Sequence, residues 1–501
     1  MRMRYENRRT LVTLTGTVRL RLKIRRCETQ DCARLHKPYR PEAEGALALP
    51  QHEFGLDVLA LVGALRPREH RSVPEIHALL RRRGVPIAER TNLLDRYDEV
   101  LATQLADPRH LRGQLAGQDR IILALDGLQP DVGHAVLGVL RDCLSGTVLL
   151  ARSLLSGAAD DLTALLRDAV AAAGLPVAGV ISDGQHSIRK AVALVLPGVP
   201  HQLCHFHFRR EAALPIFEAD RHAKQELKQR VRGVRPIERS VEGRTDPEAQ
   251  VVRGYAAAVR SAITDDGRAP RDAAGLRLKR RLEKTAGSLE RVAAKGGPSR
   301  PLSRLKLLID RALADTAALW PAVEQGFVCA HAAARLLANP AREAGAKVRR
   351  RFDGLLAAMQ RHRHRVDGLG AVLDHFRKGA HSYRPGLFHA ADVADLPRTN
   401  NALEQVFGSQ RYHERRATGR KTASPGAVLR GPVRLVAGIR TRLKLLSGPD
   451  RGQVDPERWQ NLRRSLDRGR QARTARTRFR HDPEAYLMAL EHKAKQLIVP
   501  S

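Results

Sequence analysis

The chain has 501 residues, 43% of them apolar and only 4% aromatic, which is enough for two to four domains with cores built from Leu, Val, Ile and Ala. Its 88 Lys and Arg outnumber 53 Asp and Glu, a formal charge of +35; an Arg-rich compositional bias explains part of the arginine count but not the imbalance, which points to a polyanionic partner. No apolar stretch is long enough to cross a bilayer, the Met1-Arg-Met-Arg start is not a signal-peptide pattern, and Cys27, Cys32, Cys143, Cys204 and Cys329 are too scattered for a disulfide framework, so no membrane partner and a reducing, cytoplasmic setting are expected.

Taken in chain order, residues 1–50 alternate polar and apolar side chains and predict two strands around Gly16, a small β-ribbon. Cys27, Cys32 and His36 follow at once. Two readings stand for them: three soft ligands of a degenerate or upstream-extended zinc ribbon, or a plain basic hairpin. Residues 51–112 read as helices, one starting at the capping box Ser72-Val-Pro-Glu75 and stopped by Gly84. A further helix, about Ala88 to Leu105, carries Leu93, Leu94, Tyr97, Val100 and Leu101 on one stripe. The pair is expected to be a DNA-binding region of helix-turn-helix type, with two helices that merely pack as the alternative.

Residues 115–207 change character. Ile121 to Asp126 is an apolar strand ending in Asp-Gly. Strands from Ala135 to Arg141 and Thr147 to Leu155 follow, with a turn at Pro130 to Gly133. A helix capped by Asp160 and ended by Gly174, a second buried strand closing on Asp183-Gly, a helix from His186 to Leu196 and a strand near His201 to Cys204 complete the run. Three strands that turn into alternating helices and strands predict an α/β core of RNase H-like pattern. Residues 208–395 read as an all-α, Arg/Ala-rich insertion. Residues 396–425 open with a helix, and 426–501 form a strongly basic tail.

Each Asp-Gly taken alone is chiefly a turn signal, although neighbouring strands can bring two carboxylates to one Mg²⁺. Beside them stand Cys204-His-Phe-His207 and Arg398-Thr-Asn-Asn-Ala-Leu-Glu404, followed by Arg411-Tyr-His-Glu-Arg415-Arg416 and Arg420-Lys421. In this order the blocks resemble bacterial insertion-sequence transposases with an Asp-Asp-Glu active site, in the Cys-x-x-His group related to the Mutator-like enzymes. In that group a helical domain interrupts an RNase H-like core between the second Asp and the Glu. The resemblance covers roughly residues 115–425.

The resemblance implies that Asp126, Asp183 and Glu404 bind two Mg²⁺ (or Mn²⁺) ions and cut and join DNA strands. It also implies that the protein works on double-stranded DNA as a homodimer or higher assembly, on the bacterial nucleoid. Thr399 or Asn400 is expected to cap the helix carrying Glu404, with Leu403 and Phe407 facing the core. Arg411, Arg415, Arg416, Arg420 and Lys421 are expected to contact phosphates, with a solvated basic face as the alternative. Cys204 and His207, too few for a zinc site, are expected to support the carboxylates by packing or hydrogen bonding, with His205 the lesser partner. Two other functions stay open: a transposase-derived DNA-binding protein without catalysis, and an RNase H-like metal-dependent nuclease.

Overall fold

In the computed structural model, the alternating N-terminal segment folds as a hairpin of β1 (Arg2–Thr13) and β2 (Gly16–Arg26), paired antiparallel with a bulge near Met3, and a short β3 (Pro38–Tyr39) adds to β2. The structure describes residues 1–33, 35–49, 52–88, 93, 94, 96, 97, 108–128, 136–154, 157–265, 272–294, 299–419, 464, 471, 478 and 481–498. The turn at Pro130–Gly133, Val100 and Leu101 of the second helix, and most of the basic tail lie outside them.

One face of the hairpin, with Leu11, Leu22 and Ile24, is buried. Arg9 fastens it by donating to Glu44 and to the carbonyls of Leu49 and His52. Leu14 N–H also donates to Asp57 Oδ2 at 2.8 Å. Helices α1 (Glu42–Leu47), α2 (Leu56–Gly63) and α3 (Val73–Arg82) follow, with a single π-helical turn, Ala64–Arg68, after α2. Ser72 and Glu75 form the expected reciprocal capping box, and Gly84 takes the left-handed conformation (φ +73°) past the end of α3. Leu93, Leu94 and Tyr97 are helical and join Leu59, Val62, Ile76 and Leu80 in one apolar core.

After α4 (Pro108–Leu115) comes a mixed five-stranded sheet of β4 (Ile121–Leu128), β5 (Val136–Asp142), β6 (Val148–Leu154), β7 (Val177–Ser182) and β8 (His201–Leu203), in the spatial order β6-β5-β4-β7-β8. β4, β5 and β6 form an antiparallel meander. Helices α5 (Ala159–Ala173) and α6 (His186–Val195) separate the later strands and cover a core of Leu, Ile, Val and Ala. The predicted order of strands and helices through 120–207 is therefore observed. One detail differs: α5 is preceded by Ala158 rather than capped by Asp160, which sits in the first turn, where its charge meets the positive end of the helix dipole.

From His205 to Tyr383 the regular elements among the described residues are all helices. The helices are α7 (His205–Ala212), α8 (Leu214–Arg230), α9 (Val234–Arg239), α10 (Pro247–Thr264), α11 (Ala274–Ala294), α12 (Arg300–Asp315), α13 (Trp320–Ala338), α14 (Gly345–His362) and α15 (Leu369–Tyr383). α16 (Asn401–Thr418) and α17 (Pro483–Ile498) end the described chain. Two units emerge, one of residues 1–180, 185–199 and 400–501, the other of 181–184 and 200–399, the division passing through β7. Among the described residues no helix is long and apolar enough to cross a membrane.

The helical unit has its own cores. In one, Phe208 stacks edge-on against Phe352 and Phe376. In the other, buried Asp220 of α8 accepts the N–H groups of Gly275 and Leu276 at 2.8 and 2.9 Å, satisfying the exposed donors at the start of α11. Gly275 is required by this approach, since a Cβ there would stand 2.5 Å from the Asp220 carbonyl oxygen. Gly275→Ala is expected to destabilise the protein by about 1–3 kcal/mol, read as a lower urea midpoint at an unchanged slope.

Candidate active site

Asp126 lies inside β4, not at its end, because Gly127 and Leu128 continue the ladder opposite Gly138 and Leu137. This corrects the expected Asp-Gly turn. Gly127 is absent from the glycines with positive φ, and its strand runs on extended. The Asp126 side chain is 9% exposed. Its Oδ1 accepts the Gly127 N–H at 2.8 Å, and its Oδ2 lies 3.4 Å from Asn400 Nδ2. The same amide nitrogen is 3.4 Å from the Leu125 carbonyl oxygen.

At β7 the expectation holds. The strand ends at Ser182, Asp183 follows, and Gly184 turns with φ +92°. The backbone around Asp183 is held firmly. Cys204 N–H donates to Ser182 O at 2.8 Å, and the Tyr383 hydroxyl lies 3.0 Å from Asp183 O and 2.7 Å from Glu211 Oε2. β4 and β7 are neighbours in the sheet.

Glu404 stands in the first turn of α16, half-buried. Leu403 and Phe407 are buried as the spacing predicted, and the helix packs against β4. Asn400 occupies the N-cap position but makes no capping bond. Its amide turns instead to β4, where a buried carbonyl and carboxylate need a donor and a backbone N–H does not. Glu404 lies four residues on, so it shares the helix face of Asn400. Replacing Asn400 by Leu keeps the branched shape and removes the donor. A loss of about 1–2 kcal/mol is expected, with faster amide exchange confined to residues 401–407; unchanged exchange there would mean the amide holds nothing.

The second half of α16 is anchored elsewhere. Buried His413 places Nδ1 2.9 Å from Nδ1 of His70, and Arg66 donates to Ala417 O at 3.0 Å and Arg71 O at 2.9 Å. Burial first, then the charges of Arg416 and Arg66, hold His70 below the usual imidazole range. Arg411, Arg415 and Arg416 are exposed along α16; Arg420 and Lys421 lie outside the described residues.

In the Cys-x-x-His block, Cys204 is fully buried at the start of α7, and His207 is half-buried with its ring edge-on to Phe206. The neighbour given less weight, His205, has the clearest role. Its backbone N–H donates to Arg398 O at 2.9 Å and its Nε2 lies 2.7 Å from Leu387 O, so it pins the segment leading to α16. Another acid that pattern alone did not single out, Asp142, is wholly buried and purely structural. Burial alone would raise its pKa. Bonds from the Ser145 hydroxyl and N–H, the Gln118 amide and the Ile122 N–H outweigh that and hold it below the usual carboxylate range.

Three carboxylates are the hard donor set that Mg²⁺ selects. Among the described residues, however, no three His, Cys, Asp or Glu side chains stand close enough together to hold a metal ion. That applies to Asp126, Asp183 and Glu404 and equally to Cys27, Cys32 and His36. In the latter turn the Cys27 thiol is held below its usual range by hydrogen bonds with Thr29 and Cys32, and His36 joins through its backbone, donating to Cys27 O at 3.2 Å. No protein-family model matches the chain and no curated protein matches it, so its chemistry has to be read from the residues themselves.

Proposed function

We propose that the chain is a DNA transposase with an RNase H-like core, in which Asp126, Asp183 and Glu404 carry strand cleavage and joining. The observation that carries this reading is the contact of Asn400 with Asp126. It seats the helix of the last acid on the strand of the first, across a separation of 274 residues. The adjacency of β4 and β7, which carry or precede the two aspartates, supports it, as does the three-strand meander continuing into helix, strand, helix and strand. Gathering all three acids is what the proposal adds.

Mg²⁺ or Mn²⁺ bound by these carboxylates would supply the Lewis acidity that phosphoryl transfer needs. The chain's own part is positional. Asn400 fixes one Asp126 oxygen, leaving the acid aligned beside the first turn of α16. The Cys204 N–H and the Tyr383 hydroxyl hold the peptides around Asp183. Arg411, Arg415 and Arg416, exposed along α16, would meet the phosphates of double-stranded DNA together with Arg420 and Lys421, with two or more copies working on paired ends.

The test uses duplexes bearing the flanking ends of the chain's own gene, with Mg²⁺ or Mn²⁺. Cleavage at the end followed by joining of the freed 3′-hydroxyl to a second duplex is expected. Cleavage of branched or hybrid substrates without joining would make the protein a nuclease. Binding without any cutting would make it a DNA-binding protein.

A further inference from the structure

We propose that the solvent face of the β1–β2 hairpin is a phosphate-tracking surface for duplex DNA, built from Arg19, Arg21, Lys23 and Arg25. Along β2 these four are exposed and alternate with Leu20, Leu22 and Ile24, of which the last two are buried. The strand therefore presents a basic side chain at every outward position from 19 to 25. Across the hairpin, Arg8 stands opposite Arg21, Thr10 opposite Arg19 and Glu6 opposite Lys23. Glu6 is engaged by Arg8 at 3.1 Å, and none of the four β2 residues has a carboxylate partner among the described residues.

Several arginines elsewhere on the surface are matched, among them Arg152 with Asp168, Arg230 with Glu226, Arg244 with Asp246 and Glu248, and Arg384 with Asp353. What sets this row apart is its continuity, four successive outward positions of one strand that are all basic. The opposite face is clamped by Arg9 and the buried Leu11, Leu22 and Ile24, so the row is displayed on a rigid support.

Geometry favours a duplex. In an antiparallel strand alternate residues are about 6.8 Å apart, so the row extends about 20 Å. Over that length one strand of B-DNA presents about six phosphates. A two-stranded ribbon is also narrow enough to lie along a groove about 12 Å wide. The contacts are to the backbone and therefore independent of base sequence. The choice of DNA as the biological polyanion rests on the transposase reading; the phosphate-binding surface itself does not.

The experiment measures binding of the full chain to a random-sequence duplex, by fluorescence anisotropy over a series of salt concentrations, for the wild type and for the quadruple variant Arg19→Gln, Arg21→Gln, Lys23→Gln, Arg25→Gln. Each lost phosphate contact reduces the slope of log K against log salt by about 0.9. The variant should be shallower by about three to four and bind at least tenfold more weakly near 0.15 M salt. If the quadruple variant loses its cooperative thermal transition, Arg21→Gln and Lys23→Gln separately should each remove about 0.9. An unchanged slope in a folded variant overturns the proposal, as does a wild type that binds phosphatidylserine vesicles and not the duplex. The cleavage assay decides the catalytic reading separately. A chain that never cuts but loses slope in the variant keeps this surface; one that cuts while the variant keeps its slope does the reverse.

Discussion

Asp126→Asn and Glu404→Gln are each expected to lower the proposed metal-dependent cleavage and strand transfer by about 10³-fold or more while the protein stays folded. Each substitution keeps shape and removes a hard anionic oxygen, and loss of electrostatic stabilisation of this kind is worth about 4 kcal/mol in the barrier. In Asp126→Asn the single remaining oxygen can accept from the Gly127 N–H or from Asn400 but not from both, so a stability loss of about 1 kcal/mol is expected beside the loss of turnover. Turnover within tenfold of wild type for either variant would remove that residue from the catalytic set. Equal and large losses in binding and turnover would assign it to the scaffold instead.

The second large effect is on stability and its pH dependence. His205 is pushed down to about 4, first by burial and then by the charges of Arg398 and Arg209, with the bond to the Leu387 carbonyl opposing them. In the unfolded chain an imidazole titrates near 6.5. Between those values the unfolded state binds the extra proton, so stability is complete above about pH 6.5 and falls as pH drops towards 4. The full loss is about 3 kcal/mol. His205→Gln can still donate to the Leu387 carbonyl but does not titrate in this range. The difference in unfolding midpoint between pH 7.5 and pH 4.5 should therefore be clearly smaller in the variant. The same pH dependence in both proteins would show that His205 is not held neutral.

Much of the fold could be read from residues that act locally. Ser72 and Glu75 bond across three positions, Gly174 and Gly184 supply left-handed turns, and the apolar runs of β4 to β7 are long enough to announce buried strands. What stayed hidden depends on distant partners. Asp126-Gly127 and Asp183-Gly184 are the same dipeptide, yet only the second turns; pairing with Gly138 and Leu137 keeps the first extended. Asn400 looks like a helix cap because its nearest N–H groups are those of the helix, and its actual partners lie on β4. Nor does spacing distinguish His205 from His207, since the carbonyls that use His205 come from residues 387 and 398.

The link from Asn400 to Asp126 also has a consequence in time. Ribosomes add about 5–20 residues per second, so the 274 residues between the two correspond to roughly 14–55 s of synthesis. Throughout that interval a nascent chain carries the first acid without the amide that aligns it and without the helix that brings the last. Under the proposed function, competence to act on DNA is thus deferred until most of the polypeptide has been made, and a chain interrupted before residue 400 would lack both the Asn400 amide and Glu404.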